Sequence, residues 1–387
     1  MAKRVVIAGL GDTGVLVAIY LGRGFDVVGI STKPCLVSGQ ELGTRLTRPE
    51  VWKQDYLMGF GRYERLDDVR VVHGRILRID AKAKSLTVER PSGETQLEPY
   101  DALVISSGVT NGFWRNDAVQ DLAAIGDGIE SAAAQIANAS RIAVIGGGAT
   151  GVSVSANVKA QYPEKDVHFF FTEPRPLPGY HPKARSRIEV QLKDAGVRLH
   201  PGHRAEIPDG FSCDRFTTDP VRWSTGQRPF EADLVLWSVG RVRPNSSFVP
   251  GDMLDERGFV KTDEFLRVPG YDDVFAVGDV AASDPNRSSA RNWGYRIVAH
   301  NVGATLEGKP KRMKRYEAPP YRWGSILGVQ QDGLRVFQPN GGSFRFPLWA
   351  VRKLLFPIAV GKIIYKGIRG SAAAENSLQR RRSDPAL

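Results

Sequence analysis

"KRVVIAGLGDTGVLVAIYLG", residues 3–22, and "SRIAVIGGGATGVSVSANVKA", residues 140–160, decide the fold of this chain. Each is a short apolar run, a glycine-rich turn and a second apolar run with helical spacing. In the first copy Gly9 permits a tight turn, Gly11 lets the backbone approach a pyrophosphate, and Gly14 lets the helix pack close to the strand. Asp12 and Thr13 open the helix, whose first N–H groups and partial positive charge suit a phosphate. The second copy repeats the scheme with Gly146, Gly148 and Gly151, and with Ala149 and Thr150 at the helix start. The strand before and the helix after each turn give the pattern its weight. Two such turns imply two dinucleotides, one held and one exchanged.

The strands that follow the turns differ. A strand over 167–172 ends in Glu173, about twenty residues beyond the last glycine. A carboxylate there accepts both hydroxyls of an adenosine ribose, which favours NADH; Arg175, two residues on, keeps NADPH open. The strand after the first turn ends instead in Ser31.

The 387 residues suggest more than one domain, and 42% hydrophobic with 25% charged residues is an ordinary globular composition. The net charge of +11 suits an acidic lipid surface, nucleic acid or anionic cofactors. No zinc-finger spacing and no basic arm interleaved with aromatics is present, which argues against nucleic acid. Cys35 and Cys213 form no Cys-x-x-Cys pair, so a dithiol relay along the chain is excluded and each reads as a lone buried thiol. Such sparse cysteine suits a reducing, cytoplasmic compartment. The N-terminal apolar run is broken by Gly9, Gly11 and Asp12, so it reads as a strand and turn and not as a signal peptide. No stretch reaches the roughly 18 to 20 apolar residues of a membrane span. The six histidines show no metal-ligand spacing, and no metal is expected; His181, after the second ribose-facing strand, reads as close to a cofactor.

Three further stretches set the class. "YDALVISSGV" (100–109) and "ADLVLWSVGRVRPN" (232–245) each run from an acid through an apolar strand into a glycine, at Gly108 and Gly240. "VPGYDDVFAVGDVA" (268–281) ends a strand in Gly278-Asp279. In this order, over about residues 3 to 306, the motifs resemble the FAD-dependent pyridine nucleotide oxidoreductases with two dinucleotide domains. The resemblance implies an α/β fold of two nested Rossmann-like domains, glutathione-reductase-like, with a short α+β C-terminal segment. It implies FAD on Gly9, Gly11, Asp12, Thr13, Gly14, Ser31, Ser107, Gly108, Gly278 and Asp279, with Lys33 and Arg45 or Arg48 near the cofactor if their loop folds inward, and surface charges otherwise. It places NAD(P)H on Gly146, Gly148, Ala149, Thr150, Gly151, Glu173 and Gly240. The ending, "GSILGVQQDGLRVFQPNGG" (324–342) and then "FPLWAVRKLLFPIAVGKIIYKGIRG" (346–370), is similar to the branch of apoptosis-inducing-factor-like proteins, ferroptosis suppressor protein and type II NADH dehydrogenase. That branch implies a quinone acceptor at a membrane surface.

Two departures stand out. Ser31 replaces the acid usual at the FAD ribose, which weakens that contact by ~1–2 kcal/mol. In "SSARNWGYRIVAHNV" (288–302), Trp293 and Gly294 stand where type II dehydrogenases turn glutamines toward the quinone. Trp293 therefore reads either as a stacking surface for a flat acceptor or as a core aromatic.

The return to Gly278-Asp279 implies a discontinuous FAD domain, 1–110 and 250–316, around an NAD(P)H domain at 111–249. Residues 317–370 form the C-terminal segment and 371–387 a polar, disordered tail. Pro357 is expected to break any helix there. Beyond it Lys362, Lys366 and Arg369 share one helical face opposite Val360, Ile363, Ile364 and Ile368. This face either lies in a lipid interface, at the inner side of the membrane, or caps the FAD domain. The expected activity is hydride transfer from NADH to FAD and on to a quinone-like acceptor, with no side chain assigned as acid or base. A ferredoxin or rubredoxin reductase and a non-catalytic NADH-sensing flavoprotein are the rival readings.

Overall fold

The protein is described from a computed structural model covering residues 2–239 and 242–370. Gly240, assigned above to NAD(P)H, and the 371–387 tail lie outside the described residues.

Two parallel sheets organise the chain. The first has five strands in the order Val274–Ala276, Ala102–Ile105, Arg4–Ala8, Asp26–Ser31 and Val69–His73. The second has four, in the order Arg198–Pro201, Asp166–Phe171, Arg141–Ile145 and Leu234–Trp237. Their central strands are apolar at nearly every position, as strands covered on both faces must be. Val5, Val6, Ile7 and Ala8 are wholly buried, as are Ile142, Ala143 and Val144. Each central strand runs into a glycine turn and then a helix, Asp12–Leu21 in the first sheet and Ala149–Gln161 in the second. Asp166–Phe171 starts and ends one residue earlier than the strand over 167–172 expected from sequence.

The first sheet thus draws strands from residues 4–105 and 274–276, and the second from residues 141–237. The chain passes between them twice, and the two passages pair as an antiparallel ribbon, Val109 with Pro244 and Thr110 with Arg243. Asn245 stitches this crossing. Its Nδ2 donates to the Ser107 carbonyl at 3.1 Å, and its Oδ1 accepts from Thr110 Oγ1 at 2.7 Å.

The C-terminal segment holds a three-stranded antiparallel sheet, Val329–Gln330, Gly333–Phe337 and Ser343–Phe346. The helix after it corrects the sequence reading in two ways. Pro357 does not break it: Val351–Ile364 runs through the proline as a π-helix. The wider i→i+5 turn tolerates a residue that lacks an N–H and whose ring clashes in a tighter helix. The expected cationic face is also divided, because the helix stops at Ile364. Arg369 instead pairs with Asp67 and donates to the Gly61 carbonyl, and Lys366 sits over the Tyr20 ring.

Candidate functional site

The two glycine turns open into one cavity of about 930 Å³. The glycines divide by role. A Cβ on Gly14 would overlap the Gly9 carbonyl oxygen, and one on Gly9 would stand 2.6 Å from Ser107 Cα. In the second turn a Cβ on Gly146 would overlap the Ser238 carbonyl, and one on Gly151 the Gly146 carbonyl. These four let backbone pass close to backbone. Gly11 and Gly148 are different, since a Cβ on either would meet nothing within 4 Å. Both line the cavity, each at the start of a helix that no side chain caps. The contrast is the helix Leu122–Asn138, whose Asp121 carboxylate accepts from the Ala124 N–H at 2.8 Å. Open first-turn N–H groups beside a glycine that leaves room for a ligand fit a dinucleotide phosphate at each turn.

Around the first turn the cavity is densely furnished. Asp12 accepts from Ser38 Oγ at 2.7 Å and Gly39 N–H at 2.9 Å, fixing the loop beside the turn. Thr13 packs where a Cβ on Gly278 would stand 2.8 Å from its Oγ1, so Gly278 lets the late strand approach the helix start. Ser31 lines the cavity, and its Oγ accepts the Lys33 N–H at 3.1 Å. Lys33 and Arg45 both face inward rather than to solvent. Lys33 Nζ donates to Asn116 Oδ1 at 3.1 Å, and burial lowers it to about 8. Arg45 donates to the Trp114 carbonyl at 3.1 Å with its guanidinium 5.0 Å from the Trp52 ring centroid; burial lowers it to about 10. Arg48 turns elsewhere, to Asn157 and the Val329 carbonyl, and does not line the cavity.

Ser107, Gly108 and Asp279 also line this space, and Asp279 carries an unexpected partner. Arg115 Nη1 donates to Asp279 Oδ2 at 2.8 Å. Burial opposes the charged carboxylate, but Arg115, with Arg291 and Arg287 further off, outweighs it and holds Asp279 below the usual range. Nothing in "NGFWRND" marks Arg115 by spacing, because the pair joins positions 164 residues apart. Arg287, Arg291 and Arg322 add further cations to the cavity wall and were equally invisible in sequence.

The second turn is covered by the segment after Phe171, where the Leu177 N–H donates to the Gly147 carbonyl at 2.7 Å. Gly148, Ala149 and Thr150 line the cavity, while Gly146 and Gly151 sit behind them. Glu173 follows the Asp166–Phe171 strand, is exposed, and stands outside the cavity lining. Arg175 is already engaged, by Glu189 at 3.1 Å and Ser186 at 2.7 Å. His181 caps the helix Pro182–Asp194, accepting from the Lys183 N–H at 3.2 Å, and does not reach the cavity.

Trp293 lines the cavity at 39% exposure, so it is not a core aromatic. It adopts the left-handed conformation at φ 64° just before the helix Gly294–Leu306, stacks at 28° on Trp323, and carries the Arg296 guanidinium 4.1 Å from its centroid. Val360, Ile364 and Tyr365 of the C-terminal segment close the same space. Both cysteines are buried, and burial pushes the Cys35 thiol up to about 11, too high to act as a thiolate. Among the described residues no cluster of three His, Cys, Asp or Glu is placed to hold a metal.

The family model described as pyridine nucleotide-disulphide oxidoreductase matches residues 3–305. The chain is 28% identical over 314 residues to oxidoreductase ptaL of Pestalotiopsis fici, covering 77% of this chain and 78% of that one. It is 26% identical over 273 residues to ferroptosis suppressor protein 1 of Taeniopygia guttata, covering 69% of each. Among solved structures, the sulfide:quinone oxidoreductase of Aquifex aeolicus superposes with a TM-score of 0.68 at 16% identity, over 98% of this chain and 95% of that one.

Proposed function

Because the chain belongs to the pyridine nucleotide-disulphide oxidoreductase family, with FAD and NAD(P)H as its cofactors, we propose that it is an NADH:quinone-type oxidoreductase. The observation that carries this reading is the single cavity onto which both phosphate-facing glycines, Gly11 and Gly148, open. One dinucleotide can be held and another exchanged within reach of it, and the cofactor supplies hydride chemistry that the protein only has to orient. The first turn, bordered by the Ser38–Gly39 contacts to Asp12 and flanked by Lys33, Arg45 and the Arg115–Asp279 pair, is assigned to FAD. The second, with Glu173 for the ribose, is assigned to the nicotinamide nucleotide. Engagement of Arg175 by Glu189 and Ser186 leaves it poorly placed for a 2′-phosphate, which supports NADH.

A flat acceptor is supported by Trp293 and Trp323 on the cavity wall and by the relationship to ferroptosis suppressor protein 1. The C-terminal π-helix supports a lipophilic acceptor reached from a cytoplasmic membrane face. Val360 and Ile364 turn into the cavity, while Trp349, Leu354, Ile358 and Ile363 stay exposed among Arg352, Lys353 and Lys362. No helix among the described residues is long and apolar enough to cross a membrane, so contact would be peripheral. The test is an anaerobic titration of the purified protein with NADH, followed by a short-chain quinone. Bleaching of the flavin band by NADH and its return with the quinone is the expected result. A flavin that NADH leaves oxidised overturns the reading.

A further inference from the structure

We propose that Glu41 delivers a proton to the acceptor, an inference that rests on the quinone-type reading above. Glu41 lines the cavity between the loop pinned to Asp12 and the helix Leu42–Thr47. It occupies the position before that helix, where an acid commonly caps the first turn, yet makes no side-chain cap. Its backbone is left-handed, at φ 56° and ψ 42°, a conformation that disfavours a glutamate. Strain of this kind persists only where surrounding structure enforces it. The enforcement is visible at Gly328, whose φ of +79° and missing Cβ make room for the carboxyl; a Cβ there would overlap Glu41 Oε2. Thr44 Oγ1 donates to the same oxygen at 3.4 Å. The charged and titratable groups facing it are Arg48 at the end of its own helix, Arg291 from the segment before Gly294–Leu306, and Tyr56 from the helix Pro49–Tyr56. Burial raises the carboxyl, hydrogen bonds from Val329 and Thr44 and the two arginines pull it back, and the outcome is about 7. The neighbouring candidates hold their protons differently. Cys35 is pushed up to about 11, Tyr365 is raised further by burial, and Lys33 is tied to Asn116 and the Ala118 carbonyl beside Ser31.

The chemistry requires such a group. A flat dione becomes its diol by taking up two electrons and two protons. NADH supplies two electrons and one proton, as hydride equivalents by way of the flavin, and leaves as NAD+. The other proton comes from the Glu41 carboxylic acid: its O–H bond breaks, an O–H bond forms on the acceptor oxygen, and the carboxylate is reprotonated from water.

The experiment uses FAD-loaded protein and Glu41→Gln, which keeps shape and removes the acid, with Gly328→Ala as a second variant that displaces the carboxyl. Three readouts are taken: anaerobic bleaching by NADH, reoxidation by a short-chain quinone from pH 5.5 to 8.5, and reoxidation by ferricyanide, which takes no proton. We expect Glu41→Gln to slow quinone reoxidation at least about tenfold and to abolish its inflection near neutral pH, while ferricyanide reoxidation changes little. Infrared difference spectra of the native protein should show a protonated-carboxyl band below pH 7 that Glu41→Gln removes. Unchanged quinone rates and pH profile in Glu41→Gln, or persistence of that band, overturn the inference. Failure of NADH to bleach the native protein overturns instead the reading on which it rests.

Discussion

The two glycine turns share a local design and differ in what surrounds them. Both place a strand buried beyond its first residue, a turn and an uncapped helix in the same relation, and both leave the middle glycine open toward the cavity. The first is bordered by the Ser38–Gly39 loop and ringed by Lys33, Arg45 and the Arg115–Asp279 pair. The second is crossed by the segment after Phe171, whose Leu177 N–H donates to the Gly147 carbonyl at 2.7 Å, and its Glu173 is exposed. The same backbone device therefore stands in two different settings, and on the proposed reading the cationic ring around the first turn suits a held coenzyme and the second turn an exchanged one.

The most severe way to break the comparison is at the glycines that pass backbone to backbone. Gly14→Ala and Gly151→Ala each put a methyl onto a carbonyl oxygen, and each should lower stability by ~3 kcal/mol. Gly14→Ala should in addition yield protein without flavin, whereas Gly151→Ala keeps flavin; thermal melts and the absorbance of purified protein check both. Gly11→Ala and Gly148→Ala sharpen it further. Both methyls enter open space, so melting should barely change, while Gly11→Ala lowers flavin occupancy and Gly148→Ala raises the KM for NADH about tenfold.

A third test separates the sheets by pH. In the second sheet the His200 ring stacks on Phe170 and His168, and burial, then His168 and His203, lower it to about 4. The folded state refuses a proton that the unfolded chain accepts near pH 6.5. Stability is therefore full above pH 6.5 and is lost progressively as pH falls toward 4. Urea melts of the native protein should show this loss, and His200→Phe should reduce it by about 1 kcal/mol after allowance for partial exposure. The smallest effects lie at the two strand ends. Glu173→Gln should raise the KM for NADH about fivefold and leave that for NADPH nearly unchanged, and Ser31→Glu should tighten flavin by about 1 kcal/mol. Steady-state kinetics and flavin-release titrations decide these.

What the sequence revealed follows from what is local. Strand, glycine turn and helix are contiguous, so Gly9–Gly14 and Gly146–Gly151 could be placed from spacing alone. Gly278 and Asp279 were recognisable because they end an apolar strand in an ordered series of motifs. The Arg115–Asp279 pair and the seating of Glu41 against Gly328 were not, since each joins distant segments with no periodic signal. Pro357 misled because its usual effect presumes a tight helix, and Val351–Ile364 is wide. The face drawn through Lys366 and Arg369 presumed that the helix continued, whereas Lys366 turns left-handed at φ 59° and ends it.

The ribbon of Val109–Thr110 against Arg243–Pro244 carries a mechanical consequence. Two strands that cross side by side, laced by Asn245, resist sliding and stretching far more than they resist twisting. The ribbon is not the sole junction, because Leu42 and Leu46 share a core with Val152 and Val154 of the helix Ala149–Gln161 and Arg48 reaches across to Asn157. Ribbon and shared core together tie the two glycine turns to the one cavity on which both open.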